Sequence, residues 1–309
     1  MHEQSIHNIL LQRHPGAGNP KLVRDEIADA CTTFVNSGLA DANFITELCT
    51  DSEAKYWSHV SEALLAAYLR KAGIQPTPSH GGGPDFLVVE NGQRIWIEVI
   101  CPTPIGIPPD WLNRDLNSVV DFPHKQILLR WTSAIKEKVE KLIGSSDGKV
   151  KGYIDKGVVA LDDAYVIAVN GRQLRGLFPI LKGISGFPFA MEAVFAVGPR
   201  QISVSRETLK PIDSGHQHRP LILRPQRAPV PAYTFLDDKS KPISAIWAVD
   251  LEGTSALGNI EPMAVIHNPN AQTRISTGFL PAYDEYVAKP DGSDNFIVSR
   301  IDGRLRLSQ

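Results

Sequence analysis

Residues 84–100 read Pro-Asp-Phe-Leu-Val-Val-Glu-Asn-Gly-Gln-Arg-Ile-Trp-Ile-Glu-Val-Ile. Two β-prone runs, 86–89 and 95–100, flank Glu90-Asn91-Gly92-Gln93, and an Asn-Gly pair between such runs signals a hairpin whose two central residues adopt positive φ. With Asn91 and Gly92 at the turn, Glu90 faces Gln93 and Val89 faces Arg94. Counting outward sets Asp85 opposite Glu98. Directly opposed residues hold their Cβ atoms roughly 4.5–5.5 Å apart, and like charges so placed destabilise the pair unless something compensates them. A divalent cation between the carboxylates is the economical compensation. Alternation places Glu98 on the face of Trp96 and Ile100, with Ile95, Ile97 and Val99 on the other. Both faces are mostly apolar, which predicts a sheet covered on both sides and makes Glu98 costly to bury without a partner.

Working outward, residues 51–72 repeat apolar side chains at helical spacing (Trp57, Val60, Leu64, Tyr68) and stop at Gly73. At 100° per residue Glu62 falls at the margin of that stripe, beside Leu65 and Leu69. Glu62, Asp85 and Glu98 are therefore expected to converge on one hard cation with oxygen ligands only, Mg²⁺ by default and Mn²⁺ as the alternative. The Val99 carbonyl is a further candidate ligand. Downstream, residues 123–143 form a second amphipathic helix (Leu128, Trp131, Ile135, Val139, Leu142), and 165–169 form a short buried strand. A helix is also expected over 21–37, preceded by a loosely held lead-in.

The order of helix acid Glu62, Pro84-Asp85, Glu98-Val99-Ile100 at the end of the next strand, a helix and a strand resembles the core of the PD-(D/E)XK nuclease superfamily. The likeness covers residues 51–171, about 40% of the chain. It implies an α/β fold: a restriction-endonuclease-like core with a mixed central sheet flanked by helices. Residues 1–50 then form an N-terminal helical lead-in, and 172–309 an α+β C-terminal extension, either separate or continuous with the core. In that superfamily the acids hold Mg²⁺, which activates water and offsets charge on the phosphate, while the motif lysine positions or deprotonates the nucleophile. Carried over, metal binding falls on Asp85 and Glu98, with Glu62 as the supporting helix acid. The lysine position is Ile100, which can neither donate a hydrogen bond nor carry charge. Some members of the superfamily recruit the basic group from the next helix, and here Lys138 is the replacement, with Arg130 as a phosphate-binding partner. Lys136 is nearly as good on geometry.

The resemblance thus implies a Mg²⁺-dependent phosphodiesterase, a DNA endonuclease or nickase, with RNA not separated from DNA and a homodimer in keeping with cutting two strands. Two other readings stay open. One is a catalytically degenerate fold that binds nucleic acid or a protein; the other is a structural pairing of Asp85 and Glu98 with arginines such as Arg94 or Arg130.

Bulk charge neither advertises nor excludes a nucleic-acid partner. The 309 residues carry 32 Lys and Arg against 34 Asp and Glu, a net charge of −2. A locally basic run nevertheless lies between Gly198 and Arg227, holding Arg200, Arg206, Lys210, Arg219, Arg224 and Arg227. Tyr233 and Phe235 follow as candidates to stack on a base or to fill a core. The three cysteines, Cys31, Cys49 and Cys101, lack metal-ligand spacing and suit a reducing cytoplasm. No apolar run reaches membrane-spanning length. Gly81-Gly82-Gly83 reads as a turn into Asp85, and Ser79-His80 beside it as surface. The prolines of 220–231 mark a candidate domain boundary. Expected later elements are a helix over 188–197 and strands at 243–249 and 263–267.

Overall fold

In a computed structural model, the protein is described at residues 2–79, 82–145, 147–224, 227–292 and 296–307; His80 and Gly81 lie outside the described residues. A short strand β1 (Thr77–Pro78) pairs with the first arm of the hairpin, β2 (Phe86–Glu90), which runs antiparallel to β3 (Gln93–Ile100). Asn91 and Gly92 take φ values of 49° and 84°, the left-handed turn the sequence calls for. Glu90 pairs with Gln93 and Phe86 with Ile97, so the next step outward sets Asp85 against Glu98. β3 then pairs in parallel with β4 (Ala164–Asn170).

Two ribbons interrupt the sheet in sequence: β5 (Val197–Val204) with β6 (Pro211–His218), and β7 (Leu221–Arg224) with β8 (Arg227–Pro231). The sheet resumes with β9 (Ala245–Val249), parallel to β4, and continues through β10 (Met263–His267), β11 (Asp284–Pro290) and β12 (Phe296–Asp302). The eight strands lie in the order β1-β2-β3-β4-β9-β10-β11-β12 with mixed directions. Strands from residues 245–302 therefore extend the same sheet that carries the hairpin.

One face is covered by α1 (His2–Arg13), α2 (Asn19–Asn36), α3 (Phe44–Leu48) and α4 (Glu53–Lys71), whose buried residues pack with Ile95, Ile97 and Val99. The other is covered by α5 (Pro109–Leu112), α6 (His124–Ile143) and α7 (Phe189–Val194), which pack with Trp96, Tyr165 and Ile167; α8 (Arg304–Leu307) ends the described chain. Every residue of β4 is buried, as its unbroken apolar run requires of a central strand.

The lead-in is more firmly held than its Gly- and Pro-rich sequence suggests. Ile6 and Leu10 of α1 are fully buried, each worth roughly 1.5–3 kcal/mol against exposure, and Arg13 bonds Glu53 and the Thr50 carbonyl. Pro220 precedes β7 and Pro229 and Pro231 lie in β8, and Ile222 of this hairpin is buried in the same core as α6. The helix expected over 188–197 ends early, with Ala196 in the left-handed region at φ 58°. Phe235 is a core residue. No helix among the described residues is long and apolar enough to cross a membrane.

Candidate active site

Glu98 is 1% exposed, on the face of β3 that meets α6. That helix buries Trp131, Ile135, Lys138 and Leu142, spaced four, three and four residues apart, so Lys138 occupies a position in the apolar stripe itself. A lysine there is tolerated because its ammonium meets a carboxylate: Lys138 Nζ lies 2.8 Å from Glu98 Oε1. One turn on, Lys141 Nζ reaches the same oxygen at 3.0 Å; burial works against the Lys141 ammonium, but the charge and hydrogen bond of Glu98, with smaller contributions from Lys138 and Tyr153, together raise it above its ordinary value.

Tyr153 completes the setting, its hydroxyl donating to Glu98 Oε2 at 3.3 Å. It is delivered by a loop that folds back on the end of α6, with Tyr153 N–H on the Lys141 carbonyl and Ile154 N–H on the Leu142 carbonyl. The close approach falls at Gly152, where a Cβ would sit 2.3 Å from the Leu142 carbonyl oxygen and 2.4 Å from Gly144 N; any other residue would force the loop, and Tyr153 with it, away from the helix.

Asp85 is half-buried just outside β2, with its Oδ2 accepting the Val99 N–H at 2.6 Å. Because the N–H and C=O of one strand residue point to the same edge, the Val99 carbonyl is directed to the Asp85 side as well. Desolvation, then the charges of Glu98 and Glu62, raise the Asp85 carboxyl well above the ordinary range; Lys138 and the Val99 N–H pull downward without cancelling this. The Tyr165 hydroxyl, on the Glu98 face of β4, is buried without a hydrogen-bond partner among the described residues, and its ionisation is opposed by burial and then by Glu98.

Other expected residues lie elsewhere. Glu62 belongs to α4, across the sheet from the Lys138 cluster. It influences Asp85 through its charge, but its carboxylate lies 3.6 Å from His59 Nδ1. Burial works against the His59 imidazolium, yet Glu62 and Glu47 outweigh it and raise His59 to about 9. Among the described residues no three His, Cys, Asp or Glu side chains group so as to hold a metal ion, so the expected convergence of three acids is not formed. Arg130 is drawn away from Glu98 by the Thr103 carbonyl and hydroxyl, at 2.7 and 3.2 Å. Arg94 lies over the Trp96 ring, 3.6 Å from Asp163, so neither arginine pairs with Asp85 or Glu98. Lys136 is exposed beside Glu140.

Lys141 and Tyr153 were the residues sequence reasoning missed. For Lys141 a signal existed, three residues beyond Lys138 on one helix face; for Tyr153 there was none, because its placement depends on a loop returning to a helix end.

The chain matches no protein-family model, no curated protein and no solved structure.

Proposed function

We propose that Asp85, Glu98 and Lys138 form the centre of a metal-dependent phosphodiesterase acting on nucleic acid, on a core of the restriction-endonuclease-like kind. The observation that carries the reading is the Lys138–Glu98 contact at 2.8 Å: the helix after the hairpin supplies the cation that Ile100 cannot. The donor set suits Mg²⁺. Two carboxylates and the Val99 carbonyl are hard oxygens, and Mg²⁺ is commonly held by one or two carboxylates while keeping several waters. Asp85 and Glu98 repel each other, and the Tyr165 hydroxyl, which has no hydrogen-bond partner among the described residues, offers a hydrogen-bonding group to a bound water. Mg²⁺ held by Asp85, Glu98 and Val99 would supply an activated water and neutralise phosphate charge.

The chain's own groups have separable tasks. The Val99 N–H fixes the direction of the Asp85 carboxylate. Glu98 holds Lys138 inside a largely apolar wall, where an ammonium facing a phosphate oxygen acts at low dielectric and offsets more developing charge than it would in water. Lys141 and Tyr153 hold Glu98 from its other sides, so its carboxylate does not turn when Lys138 engages substrate.

A second reading is favoured by the same hydrogen bonds, since both Glu98 oxygens already have partners: the cluster is structural, in a fold that binds without cutting. Calorimetric titration of Mg²⁺ and Mn²⁺ into wild type and Glu98→Ala, with nicking of supercoiled plasmid measured in parallel, separates the readings. The hydrolytic reading requires metal binding and nicking in the wild type, both lost in the variant. Metal binding without nicking establishes a degenerate site, and the absence of both leaves the structural cluster.

A further inference from the structure

The two ribbons between the halves of the sheet are unlike the rest of the molecule. Every residue of β6 is exposed, as are the last five of β5, and each ribbon is a two-stranded sheet on its own. Side chains at the far end do nothing for the core: Leu209 is 78% and Ile212 68% exposed. Leu209 also takes φ 54° in a turn closed by Leu209 N–H on the Ser205 carbonyl and Ser205 N–H on the Lys210 carbonyl. An exposed leucine in the left-handed region, at an ordered tip, is strain that no packing accounts for.

The charge is equally uneven. The β5–β6 ribbon, Val197 to His218, has three Lys and Arg against two acids, Glu207 and Asp213, and Arg219, Arg224 and Arg227 follow with no further acid before Pro231, in a chain whose net charge is −2. Register pairs Arg200 with His216 and Ile202 with Ser214, so these four share one face; the register shifts beyond Asp213, leaving Ile212 unpaired between the Ser203–Asp213 and Val204–Pro211 pairs. Asp213, opposite Ser203, lies on the other face. The paired part of that face thus carries Arg200 and Ile202 and no acid, while Glu207 lies in the turn between Arg206 and Lys210. Among the described residues Arg200, Arg206 and Lys210 form no ion pair within the chain, whereas Arg219 is committed to Glu192.

We propose that the β5–β6 ribbon is a docking arm for duplex DNA, with Arg200, Arg206 and Lys210 on phosphates and Leu209 as an apolar contact on the groove floor. The dimensions agree: two strands about 4.8 Å apart fit a major groove about 12 Å wide, and eight residues extend roughly 26 Å along it. An apolar tip on the floor of that groove meets the methyl groups of thymines. Duplex RNA is the poorer fit, because its deep, narrow major groove does not admit such a ribbon. As the partner of the Glu98 centre the DNA rests on the reading above; as the ligand of the ribbon it does not.

The test is fluorescence anisotropy with a labelled DNA duplex of about 20 base pairs, titrated at several salt concentrations in EDTA so that no cleavage intervenes. The triple variant Arg200→Ala/Arg206→Ala/Lys210→Ala is expected to bind at least about 10-fold more weakly and to lower the slope of log K against log salt by up to about 3. Leu209→Gly keeps the turn conformation and is expected to weaken binding by about 3-fold with the salt slope unchanged. The proposal is overturned by an unchanged affinity and slope in the triple variant, or by equal affinity for duplex RNA. It is also overturned if light scattering shows the substitutions splitting a dimer while DNA affinity holds, which would assign the ribbon to a second copy. Binding lost in the triple variant of a chain that binds no metal removes only the hydrolytic reading. Metal-dependent nicking with ribbon-independent binding removes only the arm.

Discussion

Helix α6 touches a buried glutamate at each end, and the two differ in what surrounds them. At its start His124 Nε2 meets Glu192 Oε2 at 2.6 Å; the same carboxylate takes Arg219 at 2.9 Å and the Ser185 N–H at 2.7 Å, and is 0% exposed. Burial alone would push the Glu192 carboxyl up, yet the bonds from His124 and Ser185 outweigh it and hold it below the ordinary range. Gly183 closes the setting, since a Cβ there would lie 2.4 Å from Glu192 Oε1. Towards its other end Lys138 and Lys141 meet Glu98, equally buried, but beside a second acid whose carboxyl is raised. A buried, paired glutamate is thus no mark of a site by itself. The raised neighbour, Asp85, together with a Tyr165 hydroxyl that has no hydrogen-bond partner among the described residues, sets the Glu98 end apart, whereas the Glu192 end is a closed clamp joining α6, α7 and the base of the β5–β6 ribbon.

The comparison breaks most easily at the clamp. Glu192→Ala leaves Arg219 and His124 facing a cavity without their acceptor, and removing one partner of a buried pair costs about 3–5 kcal/mol. Urea unfolding should show that loss as a lower midpoint, while Mg²⁺ affinity of the folded variant stays at the wild-type value. A metal affinity that falls with Glu192 would deny the two ends their separate roles.

At the other end the expected loss is catalytic. Lys138→Ala leaves Glu98 paired with Lys141 and Tyr153, so the fold and the metal donors are kept while the buried ammonium is lost. Turnover on plasmid should fall by about 100-fold or more, with Mg²⁺ affinity changed less than about 3-fold. An unchanged turnover would remove Lys138 from the chemistry and leave it as the counterion of Glu98.

The two ends were not equally legible in the sequence. The Glu98 end was readable because local rules act there: Asn91-Gly92 sets the turn, the turn sets the register, and the register sets Asp85 against Glu98. Lys138 came from the family resemblance, since helical spacing left Lys136 nearly as good. The Glu192 clamp was invisible, since it joins residues 124, 185, 192 and 219 through contacts that no periodicity encodes. The ribbons were missed for another reason: their exposed strands lack the alternation that burial of one face imposes on a sheet. β11 and β12 escaped too, one mixed in polarity and the other largely exposed at the sheet edge. Glu62 shows the limit of the helical wheel, which places a side chain at the margin of a stripe but does not say which of two neighbours, Asp85 or His59, it will meet.

The smallest expected effect is the most discriminating, because its sign depends on pH. A raised Asp85 carboxyl means that the native state keeps its proton where the unfolded chain has already released it. The Asp85 contribution to stability is therefore complete below the ordinary carboxylate range and is lost as pH rises through the raised value. Asp85→Asn preserves an oxygen for the Val99 N–H and never ionises, so it should match the wild type near pH 4 and exceed its Tm by about 2–4 °C at pH 8. Mg²⁺ should reverse that order at pH 8, because the ion stabilises only the chain that holds it, and its effect on wild type should weaken as protons compete for Asp85 at lower pH. Glu192 supplies the contrast: its carboxyl is lowered rather than raised, so its contribution is present above the ordinary range and is lost on acidification. A variant equally stable at every pH would show that Asp85 carries no unrelieved charge, and Glu98 would then be a second clamp like Glu192.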